Sequence, residues 1–276
     1  MLSAHDLLSS PITLKGIVMV IGAPDTGKTY LCRELFKKAK LSQRKVSLLD
    51  LDVGQQSLAY PGTVALTYEL SDSFPNFHKM RFVGTINPFL RLEELIEAAR
   101  SLLSYSINSD LTIVDTSGLV AGEQGRVLKT KKANALLPDL IIAIQKENEL
   151  EHILKELKNF EIIRVSPSSL TQVKTRDVRI RNRTQKLVSY FSLPQNQFSI
   201  KLKHVRLKPD GLRGWNLPPG RIIGLNSKNE TVALGLLEGI SRETLFFSSP
   251  LPIDRIGEVE EIVLGERGLD LVLETC

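Results

Sequence analysis

Eight consecutive residues, Gly22-Ala23-Pro24-Asp25-Thr26-Gly27-Lys28-Thr29, satisfy the spacing G-x-x-x-x-G-K-[ST]. A loop of this kind wraps phosphate oxygens in backbone N–H groups, because its glycines tolerate the turn and the helix that follows presents its N-terminus. Lys28 then bridges the β- and γ-phosphates, and the Thr29 hydroxyl serves as a Mg²⁺ ligand. Tyr30, the next residue, reads as packing against the sheet or the nucleotide rather than as a chemical group. The loop therefore predicts a nucleoside triphosphate site with Mg²⁺. It does not specify a reaction, since GTPases, motors and kinases all use it. A guanine-reading N-K-x-D is missing after the strand predicted at Leu140–Ile144, which weighs against a GTPase.

A second group of chemistry-bearing residues is Asp50-Leu51-Asp52-Val53-Gly54-Gln55, followed by Pro61-Gly62-Thr63. Carboxylates at the carboxyl end of a strand beside a P-loop sit where open α/β sheets bind ligands. Alternation along the strand predicts Asp50 and Asp52 on one side of it, where one of them orients or deprotonates an attacking hydroxyl. Asp115 ends the apolar run Leu111–Val114 in the manner of a Walker B carboxylate and can hold Mg²⁺ through water. Base and metal roles are left shared between Asp52 and Asp115.

Charge is unevenly spread. From Arg164 to Arg221 there are thirteen Lys and Arg against Asp177 and Asp210, a local +11 in a chain of net +5. Such asymmetry points to a polyanionic partner. His5, His78, His152 and His204 have no ligand spacing. Cys32 reads as a small core residue, and its distance from Cys276 argues against a structural disulfide. Trp215 reads as a hydrophobic anchor between domains. No apolar run approaches the roughly 20 residues of a membrane helix, and no secretory signal is visible, so a cytoplasmic location is expected.

The elements that must position these residues follow from periodicity. Strands are predicted at Gly16–Ile21, Val46–Leu49, Arg81–Val83, Leu111–Val114, Leu140–Ile144 and Glu161–Val165. Helices are predicted at Lys28–Lys40, Leu92–Ser104, Val127–Leu136 and Leu150–Leu157. This alternation implies a mostly parallel sheet with helices on both faces, an α/β fold. The polar stretch 166–191 is expected to be partly helical. Beyond Pro194, Pro209–Gly211, Pro218–Gly220 and Asn226–Asn229 punctuate short runs such as Thr231–Leu237 and Thr244–Ser248. Domains are therefore expected at 1–194 and 195–276, the second small and β-rich.

The pairing of Gly-x-x-Asp-x-Gly-Lys-Thr with Leu-Asp-Val-Gly-Gln and Pro-Gly-Thr resembles the polynucleotide 5′-hydroxyl kinases of the Clp1/Grc3/Nol9 group. The likeness continues through Gly84-Thr85-Ile86-Asn87-Pro88, similar to that group's substrate clasp, and through Asp115-Thr116-Ser117-Gly118. It extends to Arg176–Arg183, similar to an arginine-bearing lid (166–191), and to Pro218–Leu225 in the C-terminal part. Larger members of the group carry an additional N-terminal domain, which is not expected ahead of a P-loop that begins at Gly22.

The resemblance implies transfer of the ATP γ-phosphate to the 5′-hydroxyl of RNA or DNA. Asp52 becomes the general base and Gln55 a polar partner near the metal or attacking group. Thr85 and Asn87 fall in the clasp, Arg176 on the lid towards the substrate, and Arg179 and Arg183 on the lid over the transferring phosphoryl group. Cationic donors that close over phosphates are what phosphoryl transfer needs. The chain departs from the group at Leu119, where a base-stacking Trp is common, at Ile86 and Asn87, where small hydroxyl residues are usual, and at Asp115, often Asn. The alternatives are an ATP-binding assembly or RNA-processing factor without kinase turnover, and a small-molecule kinase, which the +11 stretch disfavours.

Overall fold

Runs of Val, Ile and Leu with no polar alternation have no face to give to water, so they fold as central strands covered on both sides. The structure, a computed structural model, describes residues 2–9, 13–167, 173–209 and 219–266. Asp210, Gly211, Arg213, Trp215, Pro218 and Cys276 lie outside the described residues.

The first sheet and its helices comprise β1 (Leu2–Ser3), α1 (Ala4–Ser9), β2 (Gly16–Gly22), α2 (Lys28–Leu41), β3 (Val46–Asp50), β4 (Thr63–Thr67), β5 (Lys79–Phe82), α3 (Leu92–Leu103), β6 (Leu111–Asp115), α4 (Gly122–Leu136), β7 (Leu140–Ile144), α5 (Glu151–Leu154), β8 (Ile162–Ser166) and α6 (Arg176–Phe191). Its strand order is β1-β8-β7-β2-β6-β3-β4-β5. Pairing is parallel from β1 through β3 and antiparallel at β3–β4 and β4–β5. Residues of β2 divide the core between them. Val18 and Val20 face α2 and the end of α6, and Met19 and Ile21 face α3, α4 and α5.

A second sheet of six strands follows: β9 (Asn196–Lys201), β10 (Arg206–Lys208), β11 (Ile222–Asn226), β12 (Thr231–Ser241), β13 (Thr244–Ser249) and β14 (Glu261–Leu264), ordered β10-β14-β11-β12-β13-β9. It has its own apolar layer, including Leu225, Leu237, Phe247 and Ile262. Ile222, Leu234 and Val263 join the core of the first sheet instead. The two sheets meet where Phe82 N donates to Thr231 Oγ1 at 2.7 Å and Arg81 pairs with buried Glu261 at 3.4 Å.

Gly224 of β11 lies so close to β5 that a Cβ on it would stand 2.5 Å from the Phe82 ring and 2.6 Å from the Phe82 Cβ. Gly224→Ala is expected to cost about 1–3 kcal/mol of stability by overpacking this junction. The urea midpoint measures it, and an unchanged midpoint would mean that the sheets do not bear on each other there.

The mostly parallel sheet ends in an antiparallel edge, and its strand β4 has no counterpart among the predicted strands. The link from β3 to β4 contains no helix to carry the chain over the sheet, so the strand returns antiparallel through the Pro61-Gly62 turn. Helix α4 starts five residues before the periodicity suggests, because Gly122 and Gly125 hide its first turn. Gly125 is required there, since a Cβ would come 2.1 Å from the Val120 carbonyl carbon. Of the helix expected at Leu150–Leu157, only Glu151–Leu154 is α-helical. The remainder winds more tightly, with Glu156 N bonding Ile153 O and Leu157 N bonding Leu154 O.

Candidate active site

β2 delivers the chain into the P-loop at the middle of the sheet, between β6 and β7. From there β2 leads to β3 on one side, and β6 crosses over to β7 on the other. This is the switch point at which open α/β sheets bind ligands. Gly27 adopts φ 88° and begins α2 without any side-chain cap, so the first N–H groups of the helix keep their capacity for an anion. Lys28 is 7% exposed, and its Nζ donates to Ala23 O at 2.6 Å, an oxygen that Thr26 Oγ1 also reaches at 2.9 Å. Burial holds the Lys28 ammonium below its ordinary pKa, against the pull of Asp115 and Asp52. Tyr30 is 58% exposed on the cleft wall, so it does not pack on the sheet.

Asp50 and Asp52 make different hydrogen bonds. The strand ends at Asp50, so Asp52 stands in the loop that follows it. Asp50 is buried, and its carboxylate accepts from Asp52 N at 2.9 Å and from Ser57 N and Oγ, each at 2.7 Å. It shapes the loop. Asp52 Oδ1 accepts from Gly54 N at 3.1 Å and Gln55 N at 3.0 Å, while the residue lines the cleft. Gln55 lines it too, its Nε2 donating to Gly54 O at 2.9 Å.

Asp115, at the end of β6, accepts the Thr29 hydroxyl on Oδ2 at 2.6 Å, and its Oδ1 is buried with no hydrogen-bond partner among the described residues. Burial raises the pKa of Asp115, and burial together with Asp115 and Asp52 raises that of Asp50. A hydroxyl, a carboxylate with a spare oxygen and an anion-binding loop form an oxygen donor set suited to Mg²⁺. Among the described residues, no group of three His, Cys, Asp or Glu could hold a metal alone.

Two lysines of α4 that the sequence reading did not single out are fully buried beneath this site. Lys129 Nζ donates to Thr116 Oγ1 at 2.9 Å and to Ser117 O, and Lys132 Nζ reaches Leu51 O at 3.3 Å. Burial lowers both pKa values, that of Lys132 to about 8, while Asp52 and Asp50 favour the charged form of Lys132. Lys132→Met withdraws this charge while keeping the apolar stem. The acid limb of the pH–rate profile is then expected to move to higher pH, since carboxylates without the cation bind protons more readily. A profile that falls in height without moving would assign Lys132 to packing alone.

Helix α6 roofs the cleft. Thr175 caps it by accepting from Val178 N, and at its far end Leu234 N donates to the Tyr190 hydroxyl at 2.8 Å, fixing it to β12. Arg179, Asn182, Arg183, Lys186 and Ser189 recur at helical spacing and line a cleft of about 830 Å³ shared with Lys28, Thr29 and Asp52. Arg179 Nη2 meets Asp25 Oδ2 at 2.6 Å. Arg183 Nε is buried without a hydrogen-bond partner among the described residues. Burial, together with Arg179, lowers the Arg183 pKa, yet a guanidinium stays charged.

Other expected residues lie elsewhere. Thr85 and Asn87 do not line the cleft; Thr85 Oγ1 donates to Glu266 Oε2 at 2.7 Å. Arg176 is exposed on the first turn of α6, outside the cleft lining. Leu119 packs on the apolar layer shared by α3 and α4. Part of the basic stretch is internally paired, Arg164 with Glu151 and Lys208 with Glu97 and Glu261. Lys186 was legible in principle, since it follows Arg179 and Arg183 along one helix face.

No helix among the described residues is long and apolar enough to cross a membrane. The family model for the P-loop of mRNA cleavage and polyadenylation factor CLP1 matches residues 22–193. A polyribonucleotide 5′-hydroxyl-kinase of Methanocaldococcus jannaschii is 36% identical over 148 residues, 51% of this chain and 40% of the relative. Another, from Pyrococcus abyssi, is 30% identical over 222 residues, covering 77% of this chain and 59% of its own length. The chain thus spans about half the length of the curated relatives it matches. Among solved structures, Clp1p in its complex with Pcf11p superposes with a TM-score of 0.66 at 16% identity, over 95% of this chain and 76% of that one.

Proposed function

This chain belongs to the CLP1 P-loop family, and from that premise we propose that it is an ATP-dependent kinase acting on the 5′-hydroxyl of a polynucleotide. The observation that carries the reading is that one cleft is lined by Lys28, Thr29, Asp52, Arg179 and Arg183 together. The names of the archaeal relatives add support.

Asp52 takes the proton of the acceptor hydroxyl. The freed oxygen attacks the γ-phosphorus, the bond from that phosphorus to the β–γ bridging oxygen breaks, and ADP departs. Lys28 and the α2 N-terminus hold the phosphates, and Arg179 and Arg183 neutralise charge on the transferring group. Gln55 keeps Asp52 in register through the loop they share. Mg²⁺, when bound with the nucleotide, spreads the phosphate charge, and Thr29 and Asp115 are the residues to hold it. Arg179 holds Asp25 of the P-loop through Nη2, so the lid and the nucleotide loop are joined before any phosphate arrives.

Transfer of label from γ-labelled ATP to 5′-hydroxyl RNA and DNA oligonucleotides, with nucleosides beside them, tests this. Label at the 5′ end of a strand supports the polynucleotide kinase. Label on nucleosides alone would assign a small-molecule kinase. ATP binding with no transfer would make the chain an ATP-dependent assembly factor.

A further inference from the structure

The two ends of the cleft differ in chemistry. Beside the P-loop it is ionic, with Arg179 on Asp25. Two helical turns further along α6, about 10 Å at the usual rise per residue, stands Lys186. Its Nζ donates to Gln56 O and lies 4.6 Å from the centroid of the Phe74 ring. Phe74 is 38% exposed and lines the cleft together with Ser57, Pro61 and Ser189.

A lone exposed aromatic ring is ordinary. This one is held from behind. Tyr60 meets it edge-on with centroids 5.5 Å apart, and Tyr60 is itself wedged against Tyr190 at 4.6 Å and Phe77 at 6.3 Å. A rigidly backed ring with a cation above it, inside a phosphate-binding cleft, suits a nucleobase and its adjoining phosphodiester. The acceptor's base suits this place better than the donor's: the P-loop is the element that holds donor phosphates, whereas Phe74 shares Lys186 with Gln56, in the loop that follows Asp52.

Resting on the acceptor's being a 5′-hydroxyl strand, we propose that Phe74 stacks on its first nucleobase and that Lys186 takes the phosphodiester that follows. The strand thus enters along the C-terminal half of α6 and meets the donor at Asp52. Selection for a polynucleotide over a small alcohol arises at this end of the cleft.

The test uses the whole chain and two 5′-hydroxyl oligonucleotides that differ only in an abasic first nucleotide. Wild type is expected to show an acceptor KM about tenfold higher for the abasic strand. Phe74→Ala should raise KM for the ordinary strand by a similar factor, leave the abasic strand unaffected and leave KM for ATP unchanged. Phe74→Leu, which keeps an apolar side chain against Tyr60, should behave like Phe74→Ala, and Phe74→Trp should restore the preference. For Lys186→Gln, the slope of log affinity against log salt should become shallower by about 0.7, one phosphate contact on a single strand.

A wild type indifferent to the missing base, or a Phe74→Ala effect confined to KM for ATP, would overturn the assignment. An unchanged salt slope would remove Lys186 from it. A terminal 2-aminopurine separates this from failure of the kinase reading. Fluorescence quenched on binding, and not in Phe74→Ala, supports the platform even where no phosphate moves. Transfer without quenching rejects the platform and leaves the kinase standing.

Discussion

Asp52→Asn is expected to lower kcat for strand phosphorylation by about 10²–10⁴-fold, the usual contribution of a general base. ATP affinity should stay close to wild type. The substitution is clean because the oxygen that organises the loop is preserved. Oδ1 accepts from Gly54 N and Gln55 N, and an Asn carbonyl accepts both equally well. What is lost is the capacity to take a proton, together with the negative charge that acts on Lys28 and Lys132. Single-turnover transfer and equilibrium nucleotide binding, measured side by side, decide the matter. A comparable fall in ATP affinity would shift Asp52 to a metal or folding role and leave the base to be found elsewhere.

Lys28→Ala should fail in the opposite pattern, damaging binding and turnover together. A hydrogen bond to a charged group is worth about 1.5–3 kcal/mol, which is roughly 10–150-fold in nucleotide affinity. Loss of a donor to the transition state removes about 10²–10³ in kcat besides. The loop itself should survive, since Ala23 O keeps the Thr26 hydroxyl at 2.9 Å when the ammonium is gone. Thermal unfolding without nucleotide should therefore be close to wild type, and the stabilisation by added ATP and Mg²⁺ should shrink. If Lys28→Ala binds ATP normally, the P-loop is not the nucleotide site.

What could be foreseen in the sequence is what neighbouring residues specify. The P-loop is contiguous, Asp52 follows an apolar strand, and Arg179 and Arg183 stand one helical turn apart. Each needs only its local element to be correct. Lys129 and Lys132 lie beyond that reach. The run from Lys129 to Lys132 holds three lysines around Thr130 and looks like a solvated helix face until the sheet is laid over it. Lys131 is exposed while Lys129 and Lys132 are sealed, and only the packed fold decides between them. Phe74 sits in a loop between β4 and β5, where no periodicity marks its neighbours. β4 was hidden because a short run behind Pro61-Gly62 carries no signal of its own.

Thr85 is fastened from the far end of the chain. Its hydroxyl is held by Glu266, 181 residues later, and Arg91 reaches the same carboxylate at 3.3 Å. Glu266 N also donates to Gly84 O at 2.7 Å. A nascent chain can assemble the P-loop, β3 and β6 from residues already made, and Gly84 N can already reach Gly62 O, but the Glu266 anchor of the loop after β5 waits until synthesis has passed β14. Contacts of such long separation close late. During translation the P-loop residues are therefore in place before Thr85 gains its Glu266 partner, and a chain stalled short of Glu266 would hold the Gly84–Asn87 loop through contacts such as Gly84 N to Gly62 O and without that carboxylate.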